Sequence, residues 1–209
     1  MIIKVCGMRD SLNIRDVENL HPDMMGFMFW PGSKRYVSRK PGYLPDVYRV
    51  GVFVNPEPEY VKEKALEYGL DRIQLHGTET PKFCSTIRLI TGLPVMKAIS
   101  VESAQDFGQC SNYEQEDAVD MFLFDTKCSG WGGSGQEFDW SLLESYKGSK
   151  PFLLAGGIGP GMEQKIIGIR HKQFRGIDLN SRFETEPALK EINKLSLFIN
   201  NIRSYEQNK

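Results

Sequence analysis

The chain has 209 residues, which suits one large domain or two small ones with a sizeable buried core. Its 26 Lys and Arg nearly balance 27 Asp and Glu, so we expect neither nucleic acid nor an anionic membrane among its partners. No apolar run approaches the roughly 20 residues of a membrane-spanning helix. The chain opens on a strand-like run with no basic region or cleavage site, so the sequence predicts a cytoplasmic protein.

The cysteines and histidines give no sign of a structural metal site. They contain no C-x-x-C pair and lie in unrelated segments: Cys6, Cys84, Cys110, Cys128, His21, His76 and His171. A zinc site clusters such ligands within short motifs, so we expect no metal. Without a secretion signal, we expect the thiols to be reduced.

Eight short apolar runs, rich in β-branched or aromatic residues, predict eight strands. They are continuous rather than alternating, which is typical of parallel strands buried on both faces. The predicted strands are residues 2–5, 24–29, 49–54, 72–75, 95–99, 121–124, 152–155 and 176–179.

Apolar residues at helical spacing separate the strands. Three stripes predict helices: Phe83, Ile87 and Ile90; Met162, Ile166 and Ile169 after Gly159-Pro160; and Leu189, Ile192, Leu195, Ile199 and Ile202 in a last helix from about Pro187. Residues 59–68 and 141–146 predict two more helices. The prolines at positions 31, 41 and 45 leave at most a short or degenerate helix in residues 32–48.

Alternating strands and helices leave two architectures, an open doubly wound α/β sheet or a closed (β/α)₈ barrel. Eight strands, without a linker or a change in composition, favour the barrel. The sequence therefore predicts one (β/α)₈ (TIM) barrel domain over residues 1–209, near the minimum size for this fold.

Catalytic groups of such barrels lie at the C-terminal ends of the strands. Cys6 directly follows the first predicted strand, and Asp125 directly follows the sixth. Cys6 is either a small buried hydrophobic residue or a thiolate base or nucleophile, helped by cations such as Lys4 or Arg35. Asp125 either caps the next turn or is a partly desolvated general acid with a raised pKa.

Two further strand ends carry polar side chains with two possible interpretations each. Arg35 follows the second strand in the run Ser33-Lys34-Arg35-Tyr36, and is either solvated surface or a bidentate ligand for a carboxylate. His76 follows the fourth strand. Our default interpretation of His76 is a structural histidine, with a place in the site as the alternative.

Glycine-rich segments differ in what they indicate. Residues 130–135 contain a formal G-x-G-x-x-G, but it lies inside a loop rather than between a strand and a helix. A flexible cover, with Trp131 closing over a ligand, is the better interpretation. Gly156-Gly157 and Asn180-Ser181 follow the last two strands, where barrels often bind phosphate, although the glycines could also serve a tight turn alone.

Taken together in chain order, the strand-end segments resemble the phosphoribosylanthranilate isomerase family of tryptophan biosynthesis over essentially the whole chain. The matching motifs are Lys4-Val5-Cys6-Gly7-Met8; Gly26-Phe27 with Ser33-Lys34-Arg35-Tyr36-Val37; Val50-Gly51-Val52-Phe53-Val54-Asn55; Ile73-Gln74-Leu75-His76-Gly77; Phe124-Asp125-Thr126 with Gly132-Gly133-Ser134-Gly135 and Phe138-Asp139-Trp140; Leu154-Ala155-Gly156-Gly157-Ile158; and Gly176-Ile177-Asp178.

The resemblance implies a cofactor-free Amadori rearrangement of N-(5-phosphoribosyl)anthranilate to 1-(2-carboxyphenylamino)-1-deoxyribulose 5-phosphate. By the same resemblance, Cys6 is the general base and Asp125 the general acid, and Arg35 holds the anthranilate carboxylate. The loops with Gly156, Gly157 and Ser181 would hold the phosphate.

We also expect His76 and Asp178 among the substrate-binding residues. One position departs from the family pattern, because Arg182 stands where a glycine usually follows Ser181. Arginine there either preserves the backbone geometry at a steric cost or adds a cationic contact to phosphate.

Three other functions remain in view at this stage. The related histidine-pathway isomerase uses an aspartate at the end of the first strand, where this chain has Cys6. A non-catalytic phosphate-binding barrel requires neither Cys6 nor Asp125, and a nucleotide-dependent oxidoreductase rests only on the displaced glycine pattern. We expect a small phosphorylated molecule as the partner and a monomeric enzyme, since the outer faces show no large apolar excess.

Overall fold

A computed structural model describes residues 1–126 and 140–207 of the chain. Eight strands form a closed, all-parallel barrel in sequence order, with the eighth strand pairing with the first. The strands are β1 (Ile2–Val5), β2 (Met24–Met28), β3 (Tyr48–Phe53), β4 (Arg72–Leu75), β5 (Val95–Val101), β6 (Met121–Thr126), β7 (Phe152–Ala155) and β8 (Phe174–Leu179). The predicted single (β/α)₈ barrel is confirmed.

Helices follow most of the strands, and a short antiparallel hairpin precedes the last helix. The α-helices are α1 (Ser11–Glu18), α2 (Pro58–Tyr68), α3 (Pro81–Thr91), α4 (Cys110–Gln115), α5 (Glu163–Ile167) and α6 (Ile192–Gln207). The 3₁₀ helices are Ala104–Gln109, Trp140–Ser145 and Ser181–Phe183. The hairpin consists of β9 (Glu184–Glu186) and β10 (Leu189–Lys190).

Local signals explain where the regular helices begin and end. Thr80 caps α3 through a bond from the Phe83 N–H to its hydroxyl, Pro81 opens the helix, and Gly92 ends it in the left-handed conformation with φ of 68°. The Asp10 carboxylate caps α1 in the same way, by accepting bonds from two backbone N–H groups. These signals fix the ends of α1 and α3.

The last predicted helix was placed too early. Leu189, assigned to its stripe, lies in β10, and α6 begins only at Ile192. The chain reverses at Pro187-Ala188, where Pro187 cannot donate to a helical bond and Ala188 has φ of 70°. The Glu191 carboxylate then caps α6 by accepting the N–H groups of Asn193 and Lys194.

Smaller differences concern the second half of the barrel. The helix predicted for residues 141–146 is the 3₁₀ helix Trp140–Ser145, and the stripe from Met162 to Ile169 contains only the short α5. Residues 32–48 contain no helix, in line with their prolines. The glycine-rich segment and the proposed Trp131 cover lie outside the described residues.

Side chains alternate between the inside of the barrel and the layer under the helices. The larger apolar cluster fills the layer between strands and helices, and two smaller clusters fill the inside. Lys4, Cys6 and Asp178 share the inside with these smaller clusters at the C-terminal end of β1 and β8. The fold thus brings charged and reactive side chains into a mostly apolar interior.

Candidate active site

A cavity of about 260 Å³ opens at the C-terminal ends of the strands. Every site residue predicted from the sequence lines it except Arg35, and the lining residues are Cys6, Met28, Val52, Gln74, His76, Asp125, Ala155, Gly156, Gly157, Ile158, Asp178, Asn180 and Ser181. They come from β1, β2, β3, β4, β6, β7 and β8 or from the residues directly after them. The parallel arrangement of the strands brings these ends together.

A larger cavity of about 700 Å³ lies elsewhere, between the 3₁₀ helix Trp140–Ser145, α5 and residues 168–172. It contains none of the strand ends that carry reactive side chains. Catalytic groups of a barrel gather at the strand C-termini, so chemistry rather than size identifies the smaller cavity as the candidate site.

Cys6 is almost completely buried, with 3% of its surface exposed. Gly26 on β2 makes room for its thiol, because a Cβ atom on Gly26 would lie 2.6 Å from Cys6 Sγ. Burial raises the pKa of the Cys6 thiol, and the ammonium groups of Lys4 and Lys190 oppose part of that rise. The Cys6 thiol therefore ionises at a higher pH than an exposed cysteine does.

Lys4 and Asp178 form a buried ion pair beside Cys6, with 2.8 Å between Lys4 Nζ and Asp178 Oδ2. Burial alone would lower the pKa of Lys4, but the nearby Asp178 and Cys6 outweigh it and raise that pKa. Asp178 Oδ1 is buried and has no hydrogen-bond partner among the described residues. Asp178 reaches the cavity as predicted, yet its main contact is Lys4.

His76 connects Gln74 to Asp125 across the opposite side of the cavity. Gln74 Nε2 donates to His76 Nδ1 at 2.9 Å, which leaves the ring proton on Nε2. His76 Nε2 lies 3.2 Å from Asp125 Oδ2, so the ring donates to the carboxylate. The Asp125 side chain is one-third exposed, in contrast to the buried Cys6. His76 therefore has partners at both ring nitrogens, as a structural histidine would, and it also lines the cavity and holds Asp125.

Arg35 does not line the cavity but lies beside it, held by Glu184. Arg35 Nε is 2.9 Å from Glu184 Oε1, and Arg35 Nη2 is 2.5 Å from Glu184 Oε2. Gly7, with φ of 78°, packs directly against this side chain, because a Cβ there would lie 2.7 Å from Arg35 Cδ. The bonds to Glu184 use Arg35 Nε and Nη2, and Nη1 makes no hydrogen bond to a residue in the described part of the chain.

The loops after β7 and β8 form the remaining edge of the cavity. Gly156 and Gly157 both have positive φ, of 91° and 63°, which side chains rarely adopt. Ser181 is exposed at the start of its 3₁₀ helix. The Arg182 side chain crosses to the β7 loop, since its Cβ lies 3.1 Å from where Gly159 would carry a Cβ.

Sequence reasoning missed three contributors to this site: Gln74, Glu184 and Lys190. Gln74 and His76 are two residues apart on one strand, so their contact follows from strand periodicity. Glu184 and Lys190 lie in a hairpin whose second strand was read as helix. Within the described ranges, no group of three or more His, Cys, Asp or Glu side chains could hold a metal ion, and no helix is long and apolar enough to cross a membrane.

Comparisons with known proteins agree on one family. The family model for N-(5'-phosphoribosyl)anthranilate isomerase matches residues 3–201. The N-(5'-phosphoribosyl)anthranilate isomerase of Phocaeicola vulgatus is 50% identical over 204 residues, which cover 97% of this chain and 98% of that protein.

Solved structures of such enzymes have the same fold. A crystal structure of phosphoribosyl anthranilate isomerase in complex with reduced 1-(o-carboxyphenylamino)-1-deoxyribulose 5-phosphate has a TM-score of 0.79, with 30% identity. It covers 98% of this chain and 100% of that one. Monomers generated from the dimeric enzyme of Thermotoga maritima give a TM-score of 0.79 with 29% identity and the same coverage.

Proposed function

Because this chain belongs to the N-(5'-phosphoribosyl)anthranilate isomerase family, we propose that Cys6 and Asp125 are the general base and general acid of that reaction. The reaction is an aldose–ketose isomerisation in tryptophan biosynthesis, which converts the aminoaldose N-(5'-phosphoribosyl)anthranilate to the ketose 1-(2-carboxyphenylamino)-1-deoxyribulose 5-phosphate. The observation that carries the assignment is that both side chains face one cavity from different strands, β1 and β6.

Asp125 starts the rearrangement by donating a proton to the ribose ring oxygen as the C1′–O bond breaks. The ring opens to a protonated Schiff base between C1′ and the anthranilate nitrogen. His76 supports this step by fixing the orientation of the carboxyl group, because its Nε2–H donates to Asp125 Oδ2 at 3.2 Å. The partly open position of Asp125 lets it regain a proton after each turnover.

Cys6 completes the rearrangement as a thiolate that removes the proton from C2′. The electron pair of that bond neutralises the iminium nitrogen and leaves an enolamine, which becomes the ketone when C1′ gains a proton and the 2′-hydroxyl loses one. Lys4 contributes by stabilising the thiolate, since its buried ammonium lies beside the thiol. No cofactor enters this sequence of proton transfers.

Substrate binding is assigned to two places, the Arg35 side chain beside the cavity and the loops after β7 and β8 that line it. We assign the anthranilate carboxylate to Arg35, whose Nη1 makes no hydrogen bond within the described residues. The phosphate is assigned to the backbone of Gly156 and Gly157 and to Ser181, which approach each other across β7 and β8. Arg182 adds a positive charge at this edge, where the cavity lining itself has only the acids Asp125 and Asp178 as formally charged side chains.

His76 and Asp178 also face the substrate cavity, so contacts from both to the ribose chain belong to this proposal. The bound state of a related enzyme, with a reduced phosphorylated product, supports a ligand of this size and charge. We further propose a cytoplasmic, monomeric enzyme made of one domain. A dimeric relative from Thermotoga maritima makes sedimentation of this protein the direct measure of its assembly.

Loss of anthranilate fluorescence from freshly prepared N-(5'-phosphoribosyl)anthranilate tests the activity, after the enzyme has been treated with a chelator. We expect turnover well above the spontaneous rate. Cys110→Ala provides a matched control for Cys6→Ala, because Cys110 is equally buried but lies in α4 away from the cavity. A chelator-sensitive rate, or no rate above background, would refute the proposed chemistry.

A further inference from the structure

Behind the cavity, the hairpin β9–β10 contributes a cluster of buried charges that the proposed acid–base steps do not use. Lys190 has no exposed side-chain surface, and its Nζ lies 2.6 Å from Glu184 Oε1. The same carboxylate also binds Arg35. Two cations thus share one anion, so the three side chains carry a net positive charge. Such an excess is costly inside a protein unless something compensates it.

Lys190 connects this cluster to both ends of the proposed substrate site. Through Glu184 it fixes Arg35, the residue assigned to the carboxylate. Its Nζ also donates to Asn180 Oδ1 at 2.9 Å, and Asn180 lines the cavity directly before Ser181. A single ammonium therefore holds one residue on the carboxylate side and one on the phosphate side.

The cluster also borders the reactive cysteine. Gly7, which follows Cys6, is enclosed by the two residues that Lys190 organises. A Cβ on Gly7 would lie 2.7 Å from Arg35 Cδ and 2.9 Å from Asn180 Oδ1. Any displacement of Arg35 or Asn180 would consequently change the space around the backbone that carries the thiol.

We propose that Lys190 is the positioning residue of this active site, and that it holds Arg35 and Asn180 in place and supplies the positive charge that the anionic substrate neutralises. This role deepens the proposed function and rests on it, because it takes Arg35 and Ser181 as substrate contacts. Lys190 touches neither substrate nor reacting atoms, so it acts through its neighbours.

The charge balance gives the role a physical basis. Lys4 and Asp178 cancel each other, whereas Arg35, Lys190 and Glu184 leave one positive charge. A carboxylate at Arg35 or a thiolate at Cys6 brings the cluster to neutrality. Burial lowers the pKa of Lys190, and its bond to Glu184 opposes this effect. The cluster of Arg35, Lys190 and Glu184 therefore carries one positive charge that an added anion would neutralise.

Two substitutions that remove charges of opposite sign test this role against a purely structural one. Lys190→Met keeps a long apolar side chain but removes the cation. We expect KM to rise about 10-fold or more. The rising limb of kcat/KM against pH should move to higher pH, because the Cys6 thiol loses a stabilising cation. Glu184→Gln removes the anion instead, so the same limb should move to lower pH while KM still rises.

The pH dependence has to be interpreted with the charged groups near the thiol. These are Lys4 on β1, Asp178 on β8, Arg35 after β2, Lys190 on β10, and Glu184 on β9, which pairs with Arg35 and Lys190. His76 after β4 and Asp125 on β6 line the same cavity and act on Asp178. Lys190→Arg keeps the charge and should restore the wild-type pH profile, with KM at least partly recovered. Thr185→Val alters the same hairpin without changing charge, and should leave both KM and the pH profile as in the wild type.

The outcomes distinguish the positioning role of Lys190 from the proposed acid–base chemistry of Cys6. Opposite pH shifts for Lys190→Met and Glu184→Gln support the positioning role. Wild-type KM and pH profile in Lys190→Met, with only a lower melting temperature, would overturn it, and Glu184→Gln answers the same question if Lys190→Met does not fold. Cys6→Ala, assayed in parallel, reports on the proposed acid–base chemistry independently, because its loss of kcat does not depend on Lys190.

Discussion

The two sides of the active-site cavity are built in different ways. The base side contains Cys6, Lys4, Asp178 and Lys190, all buried; Lys4 pairs with Asp178, and Lys190 pairs with Glu184. The acid side consists of Gln74, His76 and Asp125, which are linked by two hydrogen bonds. The Asp125 side chain is one-third exposed. A base that must ionise inside the barrel needs fixed cations, whereas an acid that must be reprotonated needs access to the cavity.

Removing either proton-transfer group should have the largest effect. We expect Cys6→Ala and Asp125→Ala each to lower kcat by at least about 10²-fold, with modest changes in substrate affinity. Steady-state kinetics of both variants check this, with Asp16→Asn on the exposed face of α1 as a control for the loss of a carboxylate. Near wild-type turnover in either variant would remove that residue from the mechanism.

Substitution of Arg35 tests whether substrate binding and proton transfer depend on different residues of the base side. Arg35→Ala should raise KM by about 10-fold or more while kcat changes less, because the proposed partner of the guanidinium is the anthranilate carboxylate, a part of the substrate that does not react. The variant also leaves Glu184 paired with Lys190 alone. Unchanged kinetic constants would make Arg35 an ordinary partner of Glu184 with no part in recognition.

The sequence predicted the barrel and most residues of the cavity because both depend on local patterns. Parallel strands buried on both faces have continuous apolar runs, and their C-terminal ends meet, so Cys6 and Asp125 could be placed together without a structure. The link from Arg35 to Glu184 joins residues 149 positions apart, and no local pattern encodes it. Lys190 was not predicted as a site residue for a related reason. Leu189, the residue before it, fits the apolar spacing of the following helix, so the sequence predicted a helix where the hairpin lies.

The hydrogen bond between His76 and Asp125 shows the same limit on the acid side. These residues are 49 positions apart; His76 directly follows β4 and Asp125 lies on β6, so the pairing of both strands with β5 brings them to 3.2 Å. The glycine at position 26 was noted only as part of a motif. Its physical role, the space that it leaves for the Cys6 thiol, depends on the pairing of β1 with β2.

Arg182 is a smaller test at the phosphate edge. We expect Arg182→Gly to raise KM by a factor of about 3 to 10, since one partly solvated cation contributes about 1 kcal/mol to binding an anion. The effect should weaken with added salt, which screens exposed charges. A lower KM in the glycine variant would show that the arginine side chain hinders the phosphate instead of binding it.

The hairpin on the base side also stores conformational strain that can be released. Ala188 has φ of 70°, and its N–H donates to Glu184 Oε1 at 3.2 Å. Ala188→Gly should stabilise the protein by about 0.5–1 kcal/mol, because glycine adopts this conformation without steric cost. Thermal unfolding measures the gain, which corresponds to a melting temperature higher by about 1–4 °C. A lower melting temperature would contradict the strain at this position.

The ionisation of Cys6 tests the account most directly. The thiol pKa can be measured from the pH dependence of alkylation, followed by mass spectrometry on the peptide that contains Cys6. Burial raises this pKa, so less thiolate forms at a given pH than for an exposed cysteine. The account predicts that kcat/KM rises with pH through the same midpoint, and that Lys4→Met moves both midpoints upward together. A rising limb of kcat/KM with a midpoint different from that of Cys6 alkylation would contradict the assignment of Cys6 as the base.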